Sequence, residues 1–93
     1  MSYRLAYEPG ARGLLRQLPP DLKPLVKRAI ETLRSDPHVG KELKLELAGY
    51  RSLRSRRYRV IYRVREADRV VEIHYFGHRT EVYETFRRRL LRR

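Results

Sequence analysis

Tyr58-Arg59-Val60-Ile61-Tyr62-Arg63-Val64 decides the fold of this chain. Side chains of a β-strand alternate between two faces, and this segment alternates like a half-buried strand. Parity places Arg59, Ile61 and Arg63 on one face. Upstream, Tyr50 to Arg54 begins another strand, and Ser55-Arg56-Arg57 makes a tight turn between the two. Downstream, Glu66-Ala67-Asp68-Arg69 reads as a hairpin loop and Val70 to Phe76 as the next strand. Three consecutive strands joined by short connections form an antiparallel meander.

Working outward to the amino terminus, Tyr3, Leu5 and Tyr7 alternate with Arg4 and Ala6, a short strand stopped by Pro9-Gly10. Ala11, Leu14, Leu15 and Leu18 then follow the i, i+3, i+4, i+7 spacing of a short amphipathic helix that ends at Pro19-Pro20. Leu22, Leu25, Val26, Ala29, Ile30 and Leu33 form one face of a second helix, closed by Ser35-Asp36-Pro37. The two are expected to make a helical hairpin over residues 11–35, laid on one face of the sheet. Leu43, Leu45 and Leu47 alternate between Gly40 and Gly49, so residues 38–49 read as a loop or short extended segment. From Thr80, a helix N-cap by type, Val82, Phe86 and Leu90 mark a closing helix beside the sheet edge. The expected architecture is an α+β domain spanning residues 1–93, ordered β-α-α-β-β-β-α, with a mainly antiparallel four-stranded sheet.

Charge narrows the function. The 93 residues carry a net charge of +12, and nineteen are arginine. Such a surface suits a polyanion, RNA or DNA, or an acidic protein partner. Arginine adds bidentate phosphate contacts and stacking on bases; a base-composition bias or adaptation to heat is the competing origin. The absence of cysteine removes disulfides, thiolate metal sites and a cysteine nucleophile, and fits a reducing compartment. Clustered His/Asp metal patterns and Gly-rich phosphate loops are also missing, so no metal and no cofactor is expected. No apolar run reaches the roughly 20 residues of a membrane-spanning helix, and the first seven residues lack a signal-peptide core. A cytoplasmic protein without membrane association is the expectation.

The passage Leu53-Arg54-Ser55-Arg56-Arg57-Tyr58-Arg59-Val60-Ile61-Tyr62, together with Gly77-His78-Arg79-Thr80-Glu81-Val82-Tyr83 and the order of elements, resembles the RelE/ParE superfamily of type II toxin–antitoxin systems. The resemblance covers nearly the whole chain. It implies a RelE-like fold and, for the RelE branch, cleavage of messenger RNA on the ribosome, neutralised by a small acidic antitoxin. The alternative it carries is a ParE-like, non-enzymatic inhibitor of DNA gyrase, or a degenerate relative that binds nucleic acid without cutting.

On the same resemblance, Arg59 takes the phosphate-contacting position, Arg79 that of transition-state stabilisation and leaving-group protonation, and Tyr83 that of the group activating the 2′-hydroxyl. The founding branch carries lysines near Tyr50-Arg51-Ser52, and this chain has none. Arg51 and Arg54 restore charge there but, as permanent cations, are poor proton donors or acceptors. His78, adjacent to Arg79, is a further candidate for catalysis or phosphate contact because imidazole titrates near neutrality. Arg51, Arg54, Arg56 and Arg57 read as an electrostatic track for RNA. The competing readings are a Tyr83 ring packed on the sheet with a wet hydroxyl, an Arg79 that caps a carbonyl or pairs with Glu81 or Glu84, and solvated strand arginines. His74, mid-strand, reads as structural.

Overall fold

Tyr58–Arg65 is the central strand, and the remaining elements are laid out around it. The computed structural model describes residues 2–78 and 81–91. Its elements are β1 (Arg4–Tyr7), α1 (Pro9–Arg16), α2 (Lys23–Glu31), β2 (Lys41–Glu42), β3 (Arg51–Ser55), β4 (Tyr58–Arg65), β5 (Val70–His78) and α3 (Val82–Leu91). Short 3-10 turns cover Thr32–Arg34 and Leu45–Leu47. No helix among the described residues is long and apolar enough to cross a membrane.

The sheet has five strands in the order β1-β5-β4-β3-β2, which corrects the four-strand expectation. The extra strand is the two-residue β2, whose Lys41 and Glu42 pair with Ser52 and Arg51. So short a strand lacks a period of its own, which is why residues 38–49 read as loop. The β3–β4, β4–β5 and β2–β3 pairs are antiparallel, whereas β1 runs parallel to β5. β1 stops at Tyr7, ahead of Pro9-Gly10, and Pro9 opens α1 two residues before the expected start at Ala11, at a position where the missing amide costs nothing.

One face of the sheet carries Val60, Tyr62, Val71, Ile73 and Phe76 against Ala11, Leu18, Val26, Ile30 and Leu33 of the helical layer. Each fully buried apolar side chain of this size contributes about 1.5–3 kcal/mol, so this layer fixes α1 and α2. A second cluster of Leu47, Ile61, Val82 and Phe86 lies on the opposite face. The closing helix α3 therefore covers that face and does not sit beside the sheet edge. Its apolar stripe at 82, 86 and 90 needs a surface to bury, and Ile61 and Tyr75 supply one.

Register on β5 shifts once. Ile61 pairs with Tyr75 and Tyr62 with Ile73, leaving His74 as an extra, bulged residue. Both His74 and Tyr75 then meet α3: Phe86 lies edge-on to the His74 ring at 6.1 Å and stacks on Tyr75 at 6.1 Å. The buried His74 also hydrogen-bonds Glu72 at 3.0 Å, consistent with a structural role. The bulge resets the phase of the strand, so Phe76 enters the main core while Gly77 pairs with Arg59.

Candidate nucleic-acid interface

β4 is electrically polarised. At one end Arg63 and Arg65 reach Glu72 at 3.5 and 3.3 Å, and Arg65 lies 3.9 Å from Asp68. At the other end Arg54 on β3 stands directly across from Arg59 on β4. Neither has a carboxylate partner among the described residues. Like charges directly opposite on a sheet destabilise it. Moreover, one terminal nitrogen of Arg59, Nη1, is buried without a hydrogen-bond partner. A buried donor left unpaired costs about 1–3 kcal/mol, more when it is charged.

Tyr83 joins this end of the sheet from the first turn of α3. Its half-buried ring packs on the Leu47, Ile61, Val82 and Phe86 cluster. Its hydroxyl lies 2.9 Å from the Ser52 hydroxyl oxygen, and either can donate. Ser52 pairs with Ile61 and Arg54 with Arg59, so alternation puts Ser52, Arg54, Arg59 and Ile61 on the α3 face. The Glu81 amide donates to the His78 carbonyl at 3.2 Å, holding the start of α3 close to the end of β5. Arg79 and Thr80, assigned from the sequence to the site and to the N-cap, lie outside the described residues.

Ser52 is the member that sequence reasoning missed. Its signal was a small polar residue at an inward position of β3, two residues from Arg54, and the structure buries it beneath the Tyr83 hydroxyl.

The structure does not bring the other candidates to that spot. Arg51 has the opposite parity to Ser52, and its guanidinium donates to the carbonyls of His38 at 3.1 Å and Gly40 at 2.8 Å. It clips the 38–40 segment to the sheet instead of joining Arg54 in a track. Arg56 and Arg57 are the two residues of the β3–β4 turn, since Ser55 still pairs with Tyr58; both are exposed. His78 is the last residue of β5, two residues beyond the expected end of that strand at Phe76, and pairs with Tyr58. Its imidazole lies tilted against the Tyr58 ring with centroids 5.5 Å apart, on the face away from Tyr83.

The fold is shared with solved structures of a class of small toxin. The isolated RelE toxin of E. coli superimposes with a TM-score of 0.74 at 22% identity over 96% of this chain and 99% of that one. The RelBE2 toxin–antitoxin complex of Mycobacterium tuberculosis contains a chain matched at 36% identity and a TM-score of 0.76, over 85% of this chain and all of that one. Toxin RelG of Mycobacterium tuberculosis is 38% identical over 85 residues, covering 89% of this chain and 98% of the relative. The family described as "ParE toxin of type II toxin-antitoxin system, parDE" matches residues 7–83. The chain belongs to this family, within the RelE/ParE superfamily of type II toxins.

Proposed function

We propose that the chain is a ribosome-dependent mRNA endonuclease that arrests translation in the cytoplasm and is held inactive by a cognate acidic antitoxin. The observation that carries this reading is the unneutralised Arg54–Arg59 pair, with a buried, unpartnered guanidinium nitrogen, on the same face as the Ser52–Tyr83 hydroxyl pair. A phosphodiester satisfies that arrangement: its oxygens accept from Arg59 and relieve the repulsion with Arg54.

The chemistry follows from RNA itself. Tyr83, as its phenolate in the field of the neighbouring arginines, takes the proton of a 2′-hydroxyl and becomes a neutral phenol, and the freed oxygen attacks the adjacent phosphorus. The bond to the 5′ oxygen breaks, leaving a 2′,3′-cyclic phosphate and a 5′-hydroxyl. Arg59 stabilises the charge that builds on the phosphoryl oxygens. The resemblance assigns protonation of the departing oxygen to Arg79. A hydroxyl pair and guanidinium groups form a weak acid–base set, so orientation of the substrate carries much of the rate, which a ribosome supplies. The net charge of +12 favours an acidic antitoxin through electrostatic steering, and the chain's likeness to the toxin of a solved toxin–antitoxin complex supports such a partner.

The test is cleavage of A-site mRNA on programmed ribosomes, with product ends mapped. Tyr83→Phe lowers the single-turnover rate by about 10²-fold or more, the scale of a general base, while ribosome binding persists. Arg59→Ala costs roughly 10²–10³-fold. Full activity of Tyr83→Phe removes the tyrosine from the mechanism. The family match to ParE toxins favours one second reading, inhibition of DNA gyrase. Ribosomes left uncut, with gyrase supercoiling blocked, select it.

A further inference from the structure

The β3–β4 turn and the end of β5 frame a second surface that the cleavage chemistry leaves unused. Tyr58 and His78 are cross-strand partners with rings inclined at 53°. Together with Leu22 at the start of α2, Arg56 and Arg57, they line an open cleft of about 310 Å³. That is near the lower end of small-molecule sites, roughly 300–1,000 Å³. No carboxylate lines it, and neither arginine has an ion-pair partner among the described residues.

Arg56 adds a backbone observation. It holds φ at 56°, a left-handed conformation in which a side chain costs about 1–2 kcal/mol. At this position of a two-residue hairpin turn glycine is the easier choice. Strain of this kind concentrates where a side chain serves a ligand.

Flat rings, an aliphatic wall and flanking guanidiniums are the chemistry that receives an unstacked nucleobase and its phosphate. We infer that the Tyr58–His78 cleft is a base-stacking subsite for a single-stranded RNA residue next to the scissile phosphate, with Arg56 and Arg57 on that residue's backbone. The inference rests on the RNA-cleavage reading above. Tyr58 and Arg59 are consecutive on β4, so their side chains face opposite sides of the strand end, and His78, the cross-strand partner of Tyr58, shares the Tyr58 side. RNA rounding the open end of the sheet sets a phosphate against Arg54 and Arg59 and the neighbouring base against Tyr58 and His78. An acidic peptide satisfies the arginines but offers the two rings no flat partner. Because every base has a π-face, the subsite tolerates all four.

The test uses the intact protein and 2′-O-methyl hexanucleotides, which cannot be cut by 2′-hydroxyl attack, each with one abasic position, at about 50 mM salt. One abasic position weakens binding to the unmodified protein by roughly 5- to 100-fold, the range for a stacked base. His78→Ala loses affinity for the intact oligonucleotide and no longer distinguishes that abasic position, whereas His78→Phe keeps both properties. His78 is exposed, so these variants fold; Tyr58→Leu, checked by circular dichroism, gives an independent second loss. An abasic series that binds uniformly, with normal salt dependence and A-site cleavage intact, overturns the subsite and leaves the cleavage reading standing. Absence of both RNA binding and cleavage overturns both. Displacement of the RNA by poly-glutamate, weakened equally by His78→Ala, makes the cleft a peptide site and also ends the inference.

Discussion

Replacing Arg54 with glutamate is expected to stabilise the fold and damage RNA binding in the same molecule. Arg54 is exposed and stands across β3–β4 from the half-buried Arg59, with no carboxylate to neutralise either among the described residues. A like-charge cross-strand pair is unfavourable and an opposite-charge pair favourable, each by about 0.2–1 kcal/mol. Removing the first and creating the second together give about 1 kcal/mol. For a chain of 93 residues that corresponds to a rise in Tm of about 4–8 °C. The half-burial of Arg59 and its unpartnered Nη1 favour the upper part of the range, because a charge removed from water is screened less.

The assay is urea unfolding of the free toxin at low and high salt, beside equilibrium binding of a single-stranded oligonucleotide. The midpoint rises while the denaturant slope stays constant, and the gain shrinks as salt screens both charges. Binding weakens, and the slope of log K against log salt falls by about 0.7, the value for one phosphate contact on a single strand. Arg54→Thr, which removes repulsion without adding attraction, lies between the two. A destabilised Arg54→Glu, or a gain that ignores salt, refutes the claim that the two guanidiniums repel across the sheet.

Four further outcomes rest on individual contacts. The fully buried Tyr62 hydroxyl donates to the Pro37 carbonyl at 2.8 Å and accepts from the Gly40 amide at 2.9 Å; Tyr62→Phe should cost about 2–3 kcal/mol in urea unfolding, and a cost below about 0.5 shows that the 37–40 segment does not depend on it. Gly40→Ala should be comparably harmful, since a Cβ there meets the Tyr62 hydroxyl at 2.5 Å and the Ser52 carbonyl at 2.9 Å. Burial raises the Tyr62 and Tyr7 phenols above their ordinary value, and the hydrogen bond to Glu66 raises that of Tyr3. Raised phenols stabilise fully at neutral pH and lose that contribution as pH climbs past about 10, so stability should fall steeply there, and less steeply in Tyr62→Phe. A double-mutant cycle on Ser52→Ala and Tyr83→Phe should give a coupling of about 1 kcal/mol in stability; a coupling indistinguishable from zero means the 2.9 Å contact is not held in solution.

The central strand was legible because its two faces differ in chemistry. Val60 and Tyr62 entered the main core, while Ile61 turned to the other side with Arg59 as alternation required. The same rule, applied to residues 51–54, separates Arg51 from Ser52 and Arg54, so the placement of Arg51 was readable and the charge pattern obscured it. The face taken by α3 was not readable. Val82, Phe86 and Leu90 define an apolar stripe, but a stripe does not choose between two sides of a sheet. That choice depends on the bulge at His74, where Tyr50 and Phe86 close around a histidine that no local pattern distinguishes. The parallel pairing of β1 with β5 is similarly non-local, set by where α1 and α2 return the chain. Of the candidate site, only Arg59 lies where alternation had placed it; Tyr83 reaches that face with α3, Ser52 emerged only from packing, and His78 is separated from them by the strand itself.

The distribution of carboxylates along β4 links the fold to the proposed chemistry. Glu72 and Asp68 neutralise the arginines at one end of the strand, so the protein has the means to quench such charges where they serve structure alone. At the other end Arg54, Arg56, Arg57 and Arg59 stand without acidic partners among the described residues, one in a strained turn and one with a buried unpaired nitrogen. The unbalanced charge opposes folding, and an anion relieves it. Any polyanion that binds only the folded chain adds stability by mass action. On the proposed reading an acidic antitoxin segment and an RNA phosphate compete for that same relief, so neutralisation of the toxin would require no distortion of its site: occupying the charged end would be enough.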